Sequence, residues 1–375
     1  MKKLAVFALV FALCFALLAI GHTGKTPSSA PAASPAAAQS AAPARYSTMF
    51  LDTFDTVISL IGYAESEAAF TQQANMVHET YLYLHKLFDN YNSYESEGIV
   101  NVYSLNERAA IEPVAVDPIL FGLLTFSKSH YALAQGQTNV AMGSVLRIWH
   151  EYREEGLDNP DAAKLPPMNE LKAASKHVSI DDLILDPDAQ TVYFADPQLK
   201  LDVGAVAKGY ATEIVAKALL SGGMPSFVLS AGGNVRTGVP PMDGRSAWGV
   251  GIQDPDGAVF GSTDIVEALY LSNLSVVTSG DYQRFYEVDG QRYHHLIDPD
   301  TLMPGAFFRS VSIITEDSGL ADFLSTAAFL MPYDQSRAFI ESLDGVEAIW
   351  LFDDGSMKLT EGAKAFARSY GATNQ

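Results

Sequence analysis

Cysteine is almost absent from this chain: Cys14 is the only one in 375 residues. It sits inside an apolar run near the N-terminus. Whatever folds after that run has no disulfide, no thiolate nucleophile and no cysteine-bound metal. Basic residues are also scarce. Lys and Arg number 24 against 44 Asp and Glu, a formal net charge of −20. Such a chain repels a phosphate backbone, which argues against a nucleic-acid partner. No His-x-His or His-x-x-x-His occurs, which argues against zinc. There is no Gly-x-x-x-x-Gly-Lys-Ser/Thr loop and no Gly-x-Ser-x-Gly elbow. No internal repeat is visible.

What is present starts with a leader. Lys2 and Lys3 precede an unbroken apolar stretch from Leu4 to Ile20. Residues 1–21 read as a signal peptide or an uncleaved membrane anchor. A lipoprotein needs its cysteine after a small residue at the end of the run. Phe11, Ala12 and Leu13 precede Cys14 instead, which argues against lipidation. Residues 22–45 are Ala, Pro and Ser with little else, a composition that cannot bury a core. They read as a tether or simply as a disordered N-terminus. Residues 46–375 form the folded part, and a hydrophobic content of 48% supplies a core.

Within it, Phe54 to Tyr63 reads as a strand. Ser66 to Phe88 reads as an amphipathic helix with Ala69, Met76, Tyr83 and Leu87 inward. Asp117 to Ala134 is a second helix, and Asn159 to Glu170 a surface connection. The second half is dense in short β-prone runs, with Asp289-Gly290 as a hairpin bend. Helices follow at Tyr210 to Leu220, Ser318 to Met331 and Asp334 to Leu343. Strands run hairpin-wise and helices do not alternate with them. The expected class is therefore α+β, with mixed, largely antiparallel sheets.

Four constellations could carry chemistry. In "LDVGAVAKGY" an apolar run meets Asp202, then Gly204, Lys208 and Gly209 where a helix begins. A helix N-terminus plus a lysine makes an anion site, most plausibly for phosphate. Asp202 would repel that phosphate unless a cation lay between, and a plain Asp202–Lys208 pair is the alternative. In "SGLADFLSTAAFLM", Asp322 and Thr326 are one helical turn apart. They offer hard oxygen ligands suited to Mg²⁺ or Ca²⁺. The alternative is a Thr bonding back to its helix and an Asp serving the helix dipole. "TSGDYQRFYEVDGQRYHHLIDPD" gathers Ser279, Asp281, His294, His295 and Asp298. A histidine there can act as acid or base. Last, "LSAGGNVRTGV" runs a strand into Gly232-Gly233-Asn234, where backbone comes close to something.

In this order the segments resemble the ApbE-type FAD:protein FMN transferases. The resemblance rests on Asp202 to Tyr210, Gly232 to Arg236, Thr278 to Arg284, His295 to Thr301 and Asp322 to Thr326. Phe54-Asp55-Thr56 looks like an altered Met-Gly-Thr, and Thr138 to Trp149 is similar to a further family segment. Asn234 stands where the family has Asp, and Leu302 follows Thr301 where it has Gly.

The resemblance implies an ApbE-like fold and a site for FAD and Mg²⁺. Asp322, Thr326 and the main-chain carbonyl of Ala205 would ligate Mg²⁺. Thr138, Asn139, Asp202, Lys208, His295 and Leu296 would contact FAD, Lys208 at the diphosphate. His295 would be the catalytic histidine. The implied reaction moves FMN from FAD to a Thr or Ser hydroxyl of an acceptor protein and releases AMP. The implied acceptors are FMN-bearing electron-transfer proteins at or outside the membrane of a bacterial cell envelope. A Mg²⁺-dependent FAD pyrophosphatase and a non-catalytic flavin-binding protein remain as alternatives.

Overall fold

The computed structural model describes residues 42–257 and 264–375. The leader, Cys14 and most of the linker lie outside them. Among the described residues no helix is long and apolar enough to cross a membrane.

The chain opens with a hairpin, β1 (Ala44–Thr53) and β2 (Thr56–Ala64), then α1 (Glu67–Phe88). α2 (Val102–Arg108), β3 (Val114–Ala115), α3 (Pro118–Tyr131), α4 (Gly143–Asp158) and α5 (Met168–Ala174) follow. Next come β4 (Leu183–Asp186), β5 (Thr191–Phe194), α6 (Ala207–Ser221), β6 (Phe227–Ala231) and β7 (Asn234–Thr237). β8 (Trp248–Gln253) pairs with β9 (Ile265–Leu271), and β10 (Ser275–Gly280) precedes the hairpin β11 (Phe285–Val288) and β12 (Gln291–His294). β13 (Ser310–Thr315), α7 (Ser318–Phe329), α8 (Tyr333–Glu341), β14 (Glu347–Leu351) and β15 (Met357–Leu359) complete the fold.

Eight strands form one sheet in the order β1-β2-β6-β7-β10-β13-β14-β15, every neighbouring pair antiparallel. This bears out the α+β expectation. Strand periodicity sorts the core into two layers. Val277, Val311 and Ile313 face the helices α1, α6 and α7. Val276 and Ile314, one residue out of step, face the β8–β9 hairpin and the C-terminal segment. A third cluster, with Trp149, Tyr286 and Leu302, ties α4 to the β11–β12 hairpin.

Several elements differ from the sequence reading. β1 begins at Ala44, inside the stretch read as linker. α1 turns Phe70, Ala74, Val77, Tyr81 and Leu84 inward, while Ala69 and Tyr83 are exposed. The larger apolar side chains set the helix's rotation, because burying them removes more surface from water. α4 was not expected, since its second half is highly charged. The Asp289-Gly290 bend holds, with φ of 52° and 78°.

Candidate active site

α6 and α7 pack so closely that their backbones nearly touch at Gly209. A Cβ there would overlap the Ser318 carbonyl and the Asp322 Cβ. The close approach lets the Gly209 N–H donate to Asp322 Oδ2 at 2.8 Å. Asp322 is 4% exposed, and burial raises its pKa against the opposing pull of Lys208 and of the Gly209 N–H. Helix capping falls to Asp317, whose carboxylate accepts the Leu320 N–H at 3.0 Å. Asp322 is therefore free of that duty. Thr326 lies one turn on, and its hydroxyl makes no hydrogen bond back to the helix among the described contacts.

Asp202 and Lys208 do not pair. Asp202 accepts the Gly204 N–H at 2.8 Å and the Asn90 amide at 3.1 Å. The Lys208 ammonium donates to Asn234 Oδ1 at 3.4 Å. Lys208, Ala205, Asp322 and Thr326 all line one cavity of about 520 Å³, a size suited to a cofactor-sized ligand. Asp202, Thr138, Asn139, His295 and Leu296 line it too, so the cavity gathers every residue the resemblance assigns to FAD or Mg²⁺, whereas His294, Asp281 and Asp298 do not line it.

Two of these have their polar side-chain atoms occupied. The Thr138 hydroxyl donates to the Phe323 carbonyl of α7 at 2.8 Å. Asn139 donates to the Val178 carbonyl and accepts the Ala141 N–H, both at 2.9 Å. Their side chains shape the wall.

The adjacent histidines diverge. His294 is buried and fully bonded: its Nε2 donates to the Gly305 carbonyl at 2.7 Å and its Nδ1 accepts the Leu296 N–H at 3.2 Å. His295 faces the cavity, and its buried Nδ1 has no partner. Burial, then the positive charges of Arg284, His294, Arg153 and Lys208, hold its pKa well below the usual imidazole value.

A further part of the cavity wall was not read from the sequence. His150 and Arg153 project from α4, with Arg153 Nη2 donating to His150 Nδ1 at 2.8 Å. That bond leaves the imidazole proton on Nε2. The Tyr91 ring lies against His150, centroids 4.5 Å apart. The i, i+3 spacing of His150 and Arg153 just after Trp149 was the available signal. The β1–β2 turn closes the rim. Phe54 and Asp55 both take left-handed backbone, φ 53° and 50°, conformations that favour glycine. The Phe54 N–H is held by His85 Nδ1 at 3.2 Å, and its carbonyl accepts from Arg284 at 3.5 Å.

Among the described residues no three His, Cys, Asp or Glu side chains gather as a metal cage. The oxygen donors that Asp322 and Thr326 bring to the cavity are one buried carboxylate and one hydroxyl. That fits Mg²⁺, which keeps waters and takes substrate phosphates rather than a dedicated all-protein shell.

An antiparallel α+β scaffold thus carries a cofactor-sized cleft with a buried carboxylate, Asp322, and the Lys208 ammonium in its lining. The ApbE family model matches residues 46–350, and the chain belongs to that family of transferases. An FAD:protein FMN transferase of Treponema pallidum is 34% identical over 270 residues, 69% of this chain and 72% of that protein. The ApbE protein of Thermotoga maritima superposes with a TM-score of 0.74 at 27% identity, covering 86% of this chain and 99% of that one. The flavin transferase ApbE of Vibrio cholerae superposes at 0.70 with 22% identity, over 86% of this chain and 100% of its own, and shows the fold.

Proposed function

We propose that this protein transfers FMN from FAD to a Thr or Ser hydroxyl of an acceptor protein and releases AMP. One observation carries the reading. The Gly209–Asp322 junction puts a buried carboxylate and the Lys208 ammonium in one cavity with a buried, unpartnered imidazole.

In the proposed reaction the acceptor oxygen attacks the phosphorus on the FMN side. The bond from that phosphorus to the bridging oxygen breaks, and AMP departs with it. Asp322, Thr326 and the Ala205 carbonyl would hold Mg²⁺, which would offset charge on the diphosphate oxygens. Lys208 supplies a fixed positive charge at the same floor. His295 is neutral at pH 7, the form able to accept the hydroxyl proton. A diphosphate bound beside it brings the negative charge that raises its basicity. Asn234 holds the lysine in place at 3.4 Å.

The N-terminal sequence supports work outside the cytoplasm: a positive start and an apolar run precede the Ala/Pro/Ser tether. The acceptor would then be an FMN-binding electron-transfer protein of the cell envelope.

The test is mass spectrometry of a candidate acceptor incubated with the protein, FAD and Mg²⁺. A gain of one FMN less water, abolished by EDTA, is expected. AMP and free FMN with no labelled acceptor would replace this reading with a pyrophosphatase. FAD bound and unchanged would replace it with a flavin binder.

A further inference from the structure

Behind the cavity floor lies a buried ion pair that the proposed chemistry does not use. Arg236 is 1% exposed and Glu213 5% exposed. The Arg236 Nε donates to Glu213 Oε2 at 3.3 Å. The same oxygen accepts the Ser318 N–H at 3.0 Å, at the first residue of α7. The rest of the guanidinium is bonded as well, to the Thr237 carbonyl and to Asn273. Lys217 approaches the other carboxylate oxygen at 3.4 Å.

The placement is regular. Asn234 and Arg236 are two apart on β7 and so face the same side of the sheet, toward α6 and α7. Asn234 serves Lys208 of α6. Arg236 serves Glu213 of α6, which in turn holds the start of α7. Ser318 and Asp322 are one helical turn apart. The two rungs fix α7 against α6 at neighbouring levels: Glu213 with the Ser318 N–H, and Asp322 with the Gly209 N–H.

A buried ion pair is seldom the most stabilising way to fill such a space, because desolvating two charges is costly. What it supplies is direction. A carboxylate can hold an N–H at a helix start where an apolar side chain would let the helix slide. We propose that Glu213 and Arg236 are positioning residues, which set the height of α7 and thereby aim the Asp322 carboxylate and Thr326 hydroxyl at the cation site. This rests on the Mg²⁺-dependent flavin transfer proposed above.

Two substitutions probe it. Glu213→Gln removes the charge at nearly constant shape. Ser318→Pro removes the accepted N–H together with the buried Ser318 hydroxyl, which has no hydrogen-bond partner among the described residues. Proline suits a first helical position, and Asp317 before it is already extended, φ −87° and ψ 121°. Glu267→Gln is the control. Glu267 is also buried, at 1% exposed, but sits on the β8–β9 hairpin and holds Ser369 near the C-terminus.

The readouts are the Mg²⁺ concentration giving half-maximal flavin transfer and the Mg²⁺-induced rise in Tm with FAD bound. Glu213→Gln and Ser318→Pro are expected to raise the Mg²⁺ midpoint about 10-fold or more. The Glu267→Gln control should lower Tm with an unchanged midpoint. If both test variants keep the wild-type midpoint and lose only Tm, the pair is structural and the proposal falls. If one variant does not fold, the other decides. A wild-type protein that shows no Mg²⁺ response overturns the functional reading instead, a result separable from the first.

Discussion

The floor and the rim of the cleft are built by opposite means. At the floor, two helices meet through a glycine, every charge is buried or bonded, and α7 is covered from Ala321 through Phe329. At the rim, a strained turn, an aromatic loop and a hairpin converge from distant parts of the chain. Glycine is used where helices must touch. Non-glycine residues stand in left-handed backbone at Phe54 and Asp55. The floor tolerates nothing extra, while the rim holds strain in place through bonds from neighbours. The difference separates a part that fixes charges from a part that shapes access.

Removing the floor's carboxylate is the strongest way to break this comparison. Asp322→Ala should cut Mg²⁺-dependent transfer by at least roughly 100-fold, the scale of a lost transition-state contact. The variant should still fold, with a loss of about 1–3 kcal/mol for the unpaired Gly209 N–H, offset in part by relief of the buried charge. Undiminished turnover in that variant would mean the cation binds elsewhere. Gly209→Ala comes next. Its methyl group meets backbone rather than a flexible side chain, so a destabilisation of about 3 kcal/mol is expected in denaturant titrations. A mild effect would show that α6 and α7 can part.

Lys208→Ala should weaken FAD binding about 10- to 100-fold, the worth of a charge-assisted hydrogen bond, and leave riboflavin binding nearly unchanged. Calorimetry with both ligands decides, and equal weakening would take Lys208 away from the diphosphate.

The pH dependence sharpens the contrast further. The folded pKa of His295 is depressed, so the folded state takes its proton later than the unfolded chain does. Stability should be unaffected by this group above the unfolded value of about 6.5 and should fall as pH drops from there toward the folded pKa. The acid limb of transfer activity should vanish in His295→Ala. An identical limb in that variant would assign it to another group.

The rim gives the smallest effect. Asp55→Gly removes a left-handed penalty of roughly 1 kcal/mol and should raise Tm by a few degrees. A fall in Tm would mean that Asp55 makes a contact worth more than its strain.

The same division explains what the sequence disclosed. The floor was legible because its signals are local: Asp202, Gly204, Lys208 and Gly209 lie within eight residues, and Asp322 and Thr326 share a helix face. The antiparallel α+β class followed from hairpin-like spacing. The rim was not legible, because Tyr91, His150, Arg153 and Arg284 meet only after the chain has folded. α4 was hidden by its charged second half, and β7 and β10 by glycine and hydroxyl residues that blur strand alternation. The Glu213–Arg236 pair was also missed. Arg236 lay inside a matched segment, but no local pattern points from it to a glutamate 23 residues back.

The first strand has a mechanical consequence. β1 is 10 residues long, about 30 Å end to end. Its far end is the turn that borders the cleft, and its near end is where the Ala/Pro/Ser segment joins. A load applied through that segment enters the molecule a full strand length from the opening and runs along a row of backbone bonds to β2. The strand therefore sets the turn beside the cleft a full strand length from the point where the chain enters the fold at Ala44.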